Sequence, residues 1–242
     1  MAESEGLSAE RVRTELARID HEVDSGTHDL AALGFWKLLA GVKRDPELVE
    51  VAADTAGKID AKAFDAHVKV KSPVWFGNLL LALWVAVGAL CVVVARCAAK
   101  TTDPEPLVAG IALVLAAAIW SGSVHCPAHW LVGRVSGIRF RCYFFGGPFP
   151  PRPGLKTEYS TYLRAAPEKR ARMHAAGALA TKVAPFVALA FWPGSGAPLW
   201  SALVVLAIGI VQIVTDVLFS TKTSDWKKVK RELAVARALR QS

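Results

Sequence analysis

Four apolar stretches, each about as long as a helix needs to cross a bilayer, dominate what this 242-residue chain can fold into. The first runs from Val74 to about Ala95, the second from about Leu107 to Val132, the third from about His174 to Trp192 and the fourth from Leu199 to Phe219. The hydrocarbon core of a bilayer is about 30 Å thick and a helix rises about 1.5 Å per residue, so about 20 apolar residues suffice. Composition agrees, because 53% hydrophobic residues beside 21% charged ones must be segregated along the chain. The expected fold class is an all-α polytopic membrane protein of four transmembrane helices, preceded by a small helical cytoplasmic N-terminal region.

The net charge of +8 would suit a nucleic-acid partner in a soluble chain, but here the placement of the charge decides its meaning. The stretch from Arg134 to Arg172 carries nine Lys or Arg against Glu158 and Glu168, whereas the Trp192 to Trp200 turn carries none. Lys58, Lys62, Lys69 and Lys71 precede the first span, and Lys222, Lys227, Lys228, Lys230 and Arg231 follow the last. The positive-inside rule puts the N-terminus, the middle loop and the C-terminus in the cytoplasm of a cell-membrane protein, as an even number of spans also requires. No nucleic acid is expected as a partner. The first seventy residues are polar and contain no secretory signal peptide. Cys91, Cys97, Cys126 and Cys142 form no CxxC pair, which argues against a disulfide framework or a zinc ribbon.

The chain divides into four parts. In residues 1–72, Leu7, Val12, Leu16, Ile19 and Val23 recur at helical spacing behind Ser8 as N-cap; Asp45-Pro46 opens a second helix, and Gly57 to Lys71 forms an amphipathic approach to Ser72-Pro73. Residues 73–106 hold the first span and an external turn, Thr101 to Pro106, where two prolines stop a continuous helix. Residues 107–221 hold a three-helix membrane core, whose Phe144 to Pro151 segment is too rich in Gly and Pro for regular helix and is expected to be extended or a hairpin. In residues 222–242, Val229, Leu233, Ala236 and Leu239 recur at spacings of three and four among basic residues, which predicts an amphipathic helix from Ser224, with Asp225 in its first turn. The expected partners are the lipid bilayer, anionic inner-leaflet lipids through this tail, and a membrane-protein partner or substrate.

One intramembrane sequence carries candidate chemistry, Ser123-Val124-His125-Cys126-Pro127-Ala128-His129. Histidines four apart lie on one helix face, where their ring nitrogens can close on one metal ion or hydrogen-bond across a helix interface. Both stand in the cytoplasmic half of their helix, and an ionisable residue at that depth is a functional candidate by default. Pro127 removes a backbone donor, frees the Ser123 carbonyl and kinks the helix. His174 is expected at the interface, Lys182 in a pair inside the bundle, and Gly110, Gly177 and Gly209 at close-packing contacts. By depth, Asp216 is the carboxylate that matches His129.

The string His125-x-x-x-His129-Trp130-Leu131-Val132-Gly133-Arg134, followed by Gly137-Ile138, resembles the first core helix of the site-2 protease family of intramembrane zinc metalloproteases, where the pattern is HExxH. Ala175 to Ala180 is similar to that family's small-residue helix, and Asp225-Trp226 stands where the family has the Asp-Gly that supplies its third zinc ligand. The resemblance covers about residues 107 to 232. It implies a Zn site on His125, His129 and an aspartate, with Asp225 favoured by order and Asp216 by depth. The chain departs from the family at its general base: the glutamate that would take the proton of the attacking water is here Cys126, and Trp226 replaces the glycine. The expected protein is therefore non-proteolytic, with a retained metal site. The alternatives are an active metallopeptidase using another acid such as Glu158, and a membrane scaffold without metal. No catalytic residue is assigned.

Overall fold

A computed structural model describes residues 7–98, 100, 105–146, 152–218 and 224–241. The external turn expected at Thr101 to Pro106 falls largely outside them, as does most of the Gly- and Pro-rich Phe144 to Pro151 segment. The described residues form ten helices and a three-stranded antiparallel sheet, and they divide into two compact units. The protein is an all-α polytopic membrane protein with one small sheet, in which Phe144 to Gly146 are extended as expected.

The first unit comprises residues 1–74, 133–171 and 231–242. Helix α1 (Ala9–Asp24) is capped by Ser8, whose side chain accepts from the Arg11 amide, and it buries Val12, Leu16, Ile19 and Val23. That burial follows the helical spacing of the four residues, which places them on one stripe. Helix α2 (Phe35–Val42) adds Phe35 and Leu39, and α3 (Pro46–His67) begins at Asp45, which caps the Glu47 and Leu48 amides. Ala52, Ala56 and Ile59 complete a core joined by Leu163 of α7 (Tyr159–Arg164). Gly57 lets α7 approach, since a Cβ there would stand 2.9 Å from Ser160 Cβ.

The approach expected from Gly57 to Lys71 is helical within α3 as far as His67, and its end becomes strand β1 (Val70–Ser72). It pairs antiparallel with β2 (Phe140–Gly146), Val70 facing Phe145, and β2 pairs with β3 (Arg152–Thr157), Tyr143 facing Leu155. The N-terminal region therefore shares one sheet with the middle loop. Lys71 and Arg141 both bind Asp65 of α3, and Lys156 binds the buried Asp60 at 2.6 Å, which fastens the sheet to that helix.

The second unit, residues 75–132 and 172–230, holds most of the four helices that, among the described residues, are long and apolar enough to cross a membrane. These are α4 (Val74–Ala98), α5 (Pro106–Ser123), α8 (Pro167–Ala190) and α9, whose span is Leu199–Asp216 within Leu199–Leu218. The second apolar stretch breaks where Pro127 removes its donor: α5 ends at Ser123 and a separate α6 (His125–Val135) follows. Trp120 of α5 donates to the Val85 carbonyl of α4 at 3.0 Å and lies in the space left by Gly88. Phe186 of α8 lies against Gly209 of α9. Small residues at such crossings let helices approach where lipid tails supply no hydrophobic drive.

The C-terminal tail is helical, as expected: α10 runs Asp225–Leu239, and Ser224 Oγ accepts from the Lys227 amide at 3.4 Å. Its Val229, Glu232 and Ala236 are buried in protein. Glu232 accepts from Arg170 Nε at 2.5 Å, from Lys43 Nζ at 2.6 Å and from the Tyr162 hydroxyl at 3.0 Å.

Candidate metal centre

The site lies in the second unit and is assembled from three helices. His125 and His129, one turn apart on α6, turn their rings toward each other with centroids 4.6 Å apart. Asp225, the first residue of α10, faces both. His125 Nε2 and His129 Nε2 are 3.2 Å apart; Asp225 Oδ2 lies 3.2 Å from the latter and 3.4 Å from the former. Tetrahedral zinc with bonds of about 2.0–2.1 Å sets neighbouring ligand atoms about 3.3–3.4 Å apart, so the triangle has the size of a metal's ligand face.

The outer hydrogen bonds decide what these atoms offer. His129 Nδ1 lies 2.6 Å from the Met173 carbonyl, which can only accept, so Nδ1 carries the hydrogen. His125 Nδ1 lies 3.0 Å from Thr181 Oγ1, whose own hydrogen goes to the Gly177 carbonyl, so Thr181 accepts in turn. In the neutral rings both Nε2 atoms then present lone pairs to each other and to a carboxylate oxygen. Three converging acceptors repel unless a cation or added protons stand among them, and a metal ligated by Nε2 with Nδ1–H held by an outer acceptor is the usual arrangement at histidine sites. The residues present fit a metal ion. Among the described residues, His125, His129 and Asp225 form the group of ligand side chains close enough to hold one.

Asp225 is largely buried, its side chain 15% exposed. Burial alone would raise its carboxyl, but the facing histidines and the Lys228 ammonium, 3.1 Å from Oδ1, hold it well below the usual carboxylate range. It therefore stands as an anion. Asp216, the alternative by depth, is elsewhere: its carboxylate pairs with Lys182 at 2.6 Å, which joins α9 to α8 as a paired intramembrane charge. Asp225 begins the tail helix, as expected, while facing the histidines. Its side chain turns inward from the first helical position.

Four further residues were not assigned to the site from sequence. His174, expected at the interface, is buried with Nδ1 3.7 Å from Asp225 Oδ1. Gly177 leaves room for the His129 ring, which a Cβ there would overlap. Thr181 orients His125, and Lys228 binds the far oxygen of Asp225. His174, Gly177 and Thr181 are three and four residues apart on α8, so helical spacing alone puts them on one face toward α6. Cys126 is half-buried and free, and its sulfur is outside the ligand group.

No family model matches the chain, and no curated protein or solved structure matches it either.

Proposed function

We propose that this chain is a multi-pass membrane protein with a site-2 protease-like core that retains a zinc site on His125, His129 and Asp225 and has lost peptidase activity. The observation that carries the reading is the convergence of three acceptor atoms at ligand–ligand distance, with both histidine Nδ1 atoms held by outer acceptors. Zinc bound there would supply Lewis-acid polarisation of a ligand oxygen. Peptide hydrolysis also needs a base that takes the proton of water and returns it to the leaving amine. The residue after His125 is a cysteine, and the single carboxylate of the ligand group is already a ligand.

An active metallopeptidase is the second reading. One observation favours it: three protein ligands leave a fourth position for an exogenous group, as in catalytic rather than structural zinc sites. The test is to purify the protein in detergent, measure bound zinc, and incubate it with a model transmembrane substrate with and without chelator. Stoichiometric zinc without cleavage is the expected result. Chelator-sensitive cleavage would move the protein to the second reading, and absence of zinc would leave a scaffold.

The same reading places the site near the cytoplasmic face of the cell membrane, with both termini inside, on the distribution of Lys and Arg. Lys227, Lys230, Arg231 and Arg237 of α10, with Arg240 just beyond it, are exposed, which supports an electrostatic attachment to anionic inner-leaflet lipids. At about 1 kcal/mol per basic residue, such attachment weakens with salt.

A further inference from the structure

Asp225 meets the two histidines with one oxygen, and its other oxygen is already engaged. Oδ1 accepts from Lys228 Nζ at 3.1 Å and lies 3.7 Å from His174 Nδ1. The ammonium is held one helical turn beyond the ligand, with the Lys228 side chain 36% exposed. The centre therefore has a positive charge beside it in addition to its three ligand side chains.

The charge balance has a consequence for what the site accepts. A divalent ion, two neutral imidazoles and one carboxylate leave a charge of about +1, and Lys228 brings the local sum to about +2. Where the resembling proteases carry a glutamate, this chain carries Cys126, so no second acid offsets that excess within the ligand group. Asp225 is moreover the first residue of a helix of fifteen, whose N-terminal amides and dipole add to the positive potential. A neutral amide carbonyl gains less from such surroundings than an anion does.

We propose that the centre takes an oxyanion, a carboxylate or phosphate group, as its exogenous ligand, and that Lys228 favours the negative charge. This rests on the metal reading above. The anion is either a free small molecule or a lipid headgroup, which share the same chemistry. Lys228 binds Asp225 Oδ1, so it acts as a positioning and charge-supplying residue.

The experiment uses the full chain in detergent with cobalt(II) in place of zinc, because cobalt's visible absorption reports its ligands directly. Each variant is saturated with cobalt, as read from its own spectrum, and titrated with acetate, inorganic phosphate and dioctanoyl phosphatidic acid. Saturable spectral shifts are expected in the wild type. In Lys228→Gln, which keeps a donor toward Oδ1 and removes the charge, anion binding should weaken about tenfold or more, and Lys228→Arg should restore most of it. Phosphatidic acid binding at least tenfold more tightly than phosphate assigns the lipid headgroup, and equal affinities assign a free anion. A wild-type cobalt spectrum unmoved by all three, or Lys228→Gln binding them as tightly as wild type, overturns the proposal and leaves the metal centre standing. A protein that takes up no cobalt overturns both.

Discussion

At the scale of single residues the candidate centre depends on atoms outside its three ligand side chains. Gly177 has no side chain where the His129 ring lies, and that ring is fixed from its other side by the Met173 carbonyl. Gly177→Ala should therefore displace the imidazole while improving the helix propensity of α8. We expect zinc affinity to fall about 10- to 100-fold with unchanged helicity, as losses of outer support do at metal sites, measured by competition with a chromophoric chelator and by circular dichroism. Unchanged affinity would mean that the ring has somewhere else to go. Thr181→Val removes the acceptor of His125 Nδ1 and should fall in the same range, whereas Thr181→Ser should not. The histidine pair was legible in sequence because four-residue spacing fixes a shared face. Asp225 was not legible from spacing, since nothing local in a chain relates residues 96 positions apart; only the resemblance favoured it over Asp216.

At the scale of elements, helix α10 does two things within fifteen residues. Its first residue faces the histidines and its eighth, Glu232, is buried among Arg170, Lys43 and Tyr162. Burial alone would raise the Glu232 carboxyl, but Lys43 and Arg170 hold it below the ordinary glutamate range. A carboxyl whose folded pKa is depressed contributes stability above its unfolded pKa of about 4.3, and loses it as pH falls through the folded value. Glu232→Gln leaves the buried Arg170 without its counter-charge and should cost about 3–5 kcal/mol at pH 7, seen as a lower melting temperature in detergent. The variant should also lose that part of the acid dependence; identical melting curves from pH 3 to pH 7 would contradict this account. The helices that open behind Ser8, Asp45 and Ser224 were readable from periodicity and caps, whereas the short α2 and α7 were not. Of the sheet, the extended character of Phe144 to Gly146 was readable from the Gly- and Pro-rich segment, but the pairing was not: β1 has three residues, and strand pairing across residues 70 to 145 leaves no local mark.

At the scale of the whole molecule, sidedness is the property to test. The Trp192 to Trp200 turn is sealed in part by Ser195, which is 1% exposed and donates to the Trp192 carbonyl, so Pro193, which is exposed, is the better labelling position. In a cysteine-free background, Pro193→Cys should react with an impermeant maleimide in intact cells, and Arg139→Cys only after permeabilisation. Reaction of Arg139→Cys from outside would invert the topology. The four candidate spans were legible because length and hydropathy are local properties, except that the second ends at Ser123 rather than at Val132. The metal centre adds a constraint of a different kind, in time. The ribosome delivers the two histidines and their supporting glycine and threonine well before Asp225, so a nascent chain holds an incomplete set of ligands until its last helix emerges. If the three side chains hold zinc as proposed, a chain cut short before residue 225 would keep the four candidate spans and lack one ligand, so zinc binding would report whether synthesis had passed Asp225.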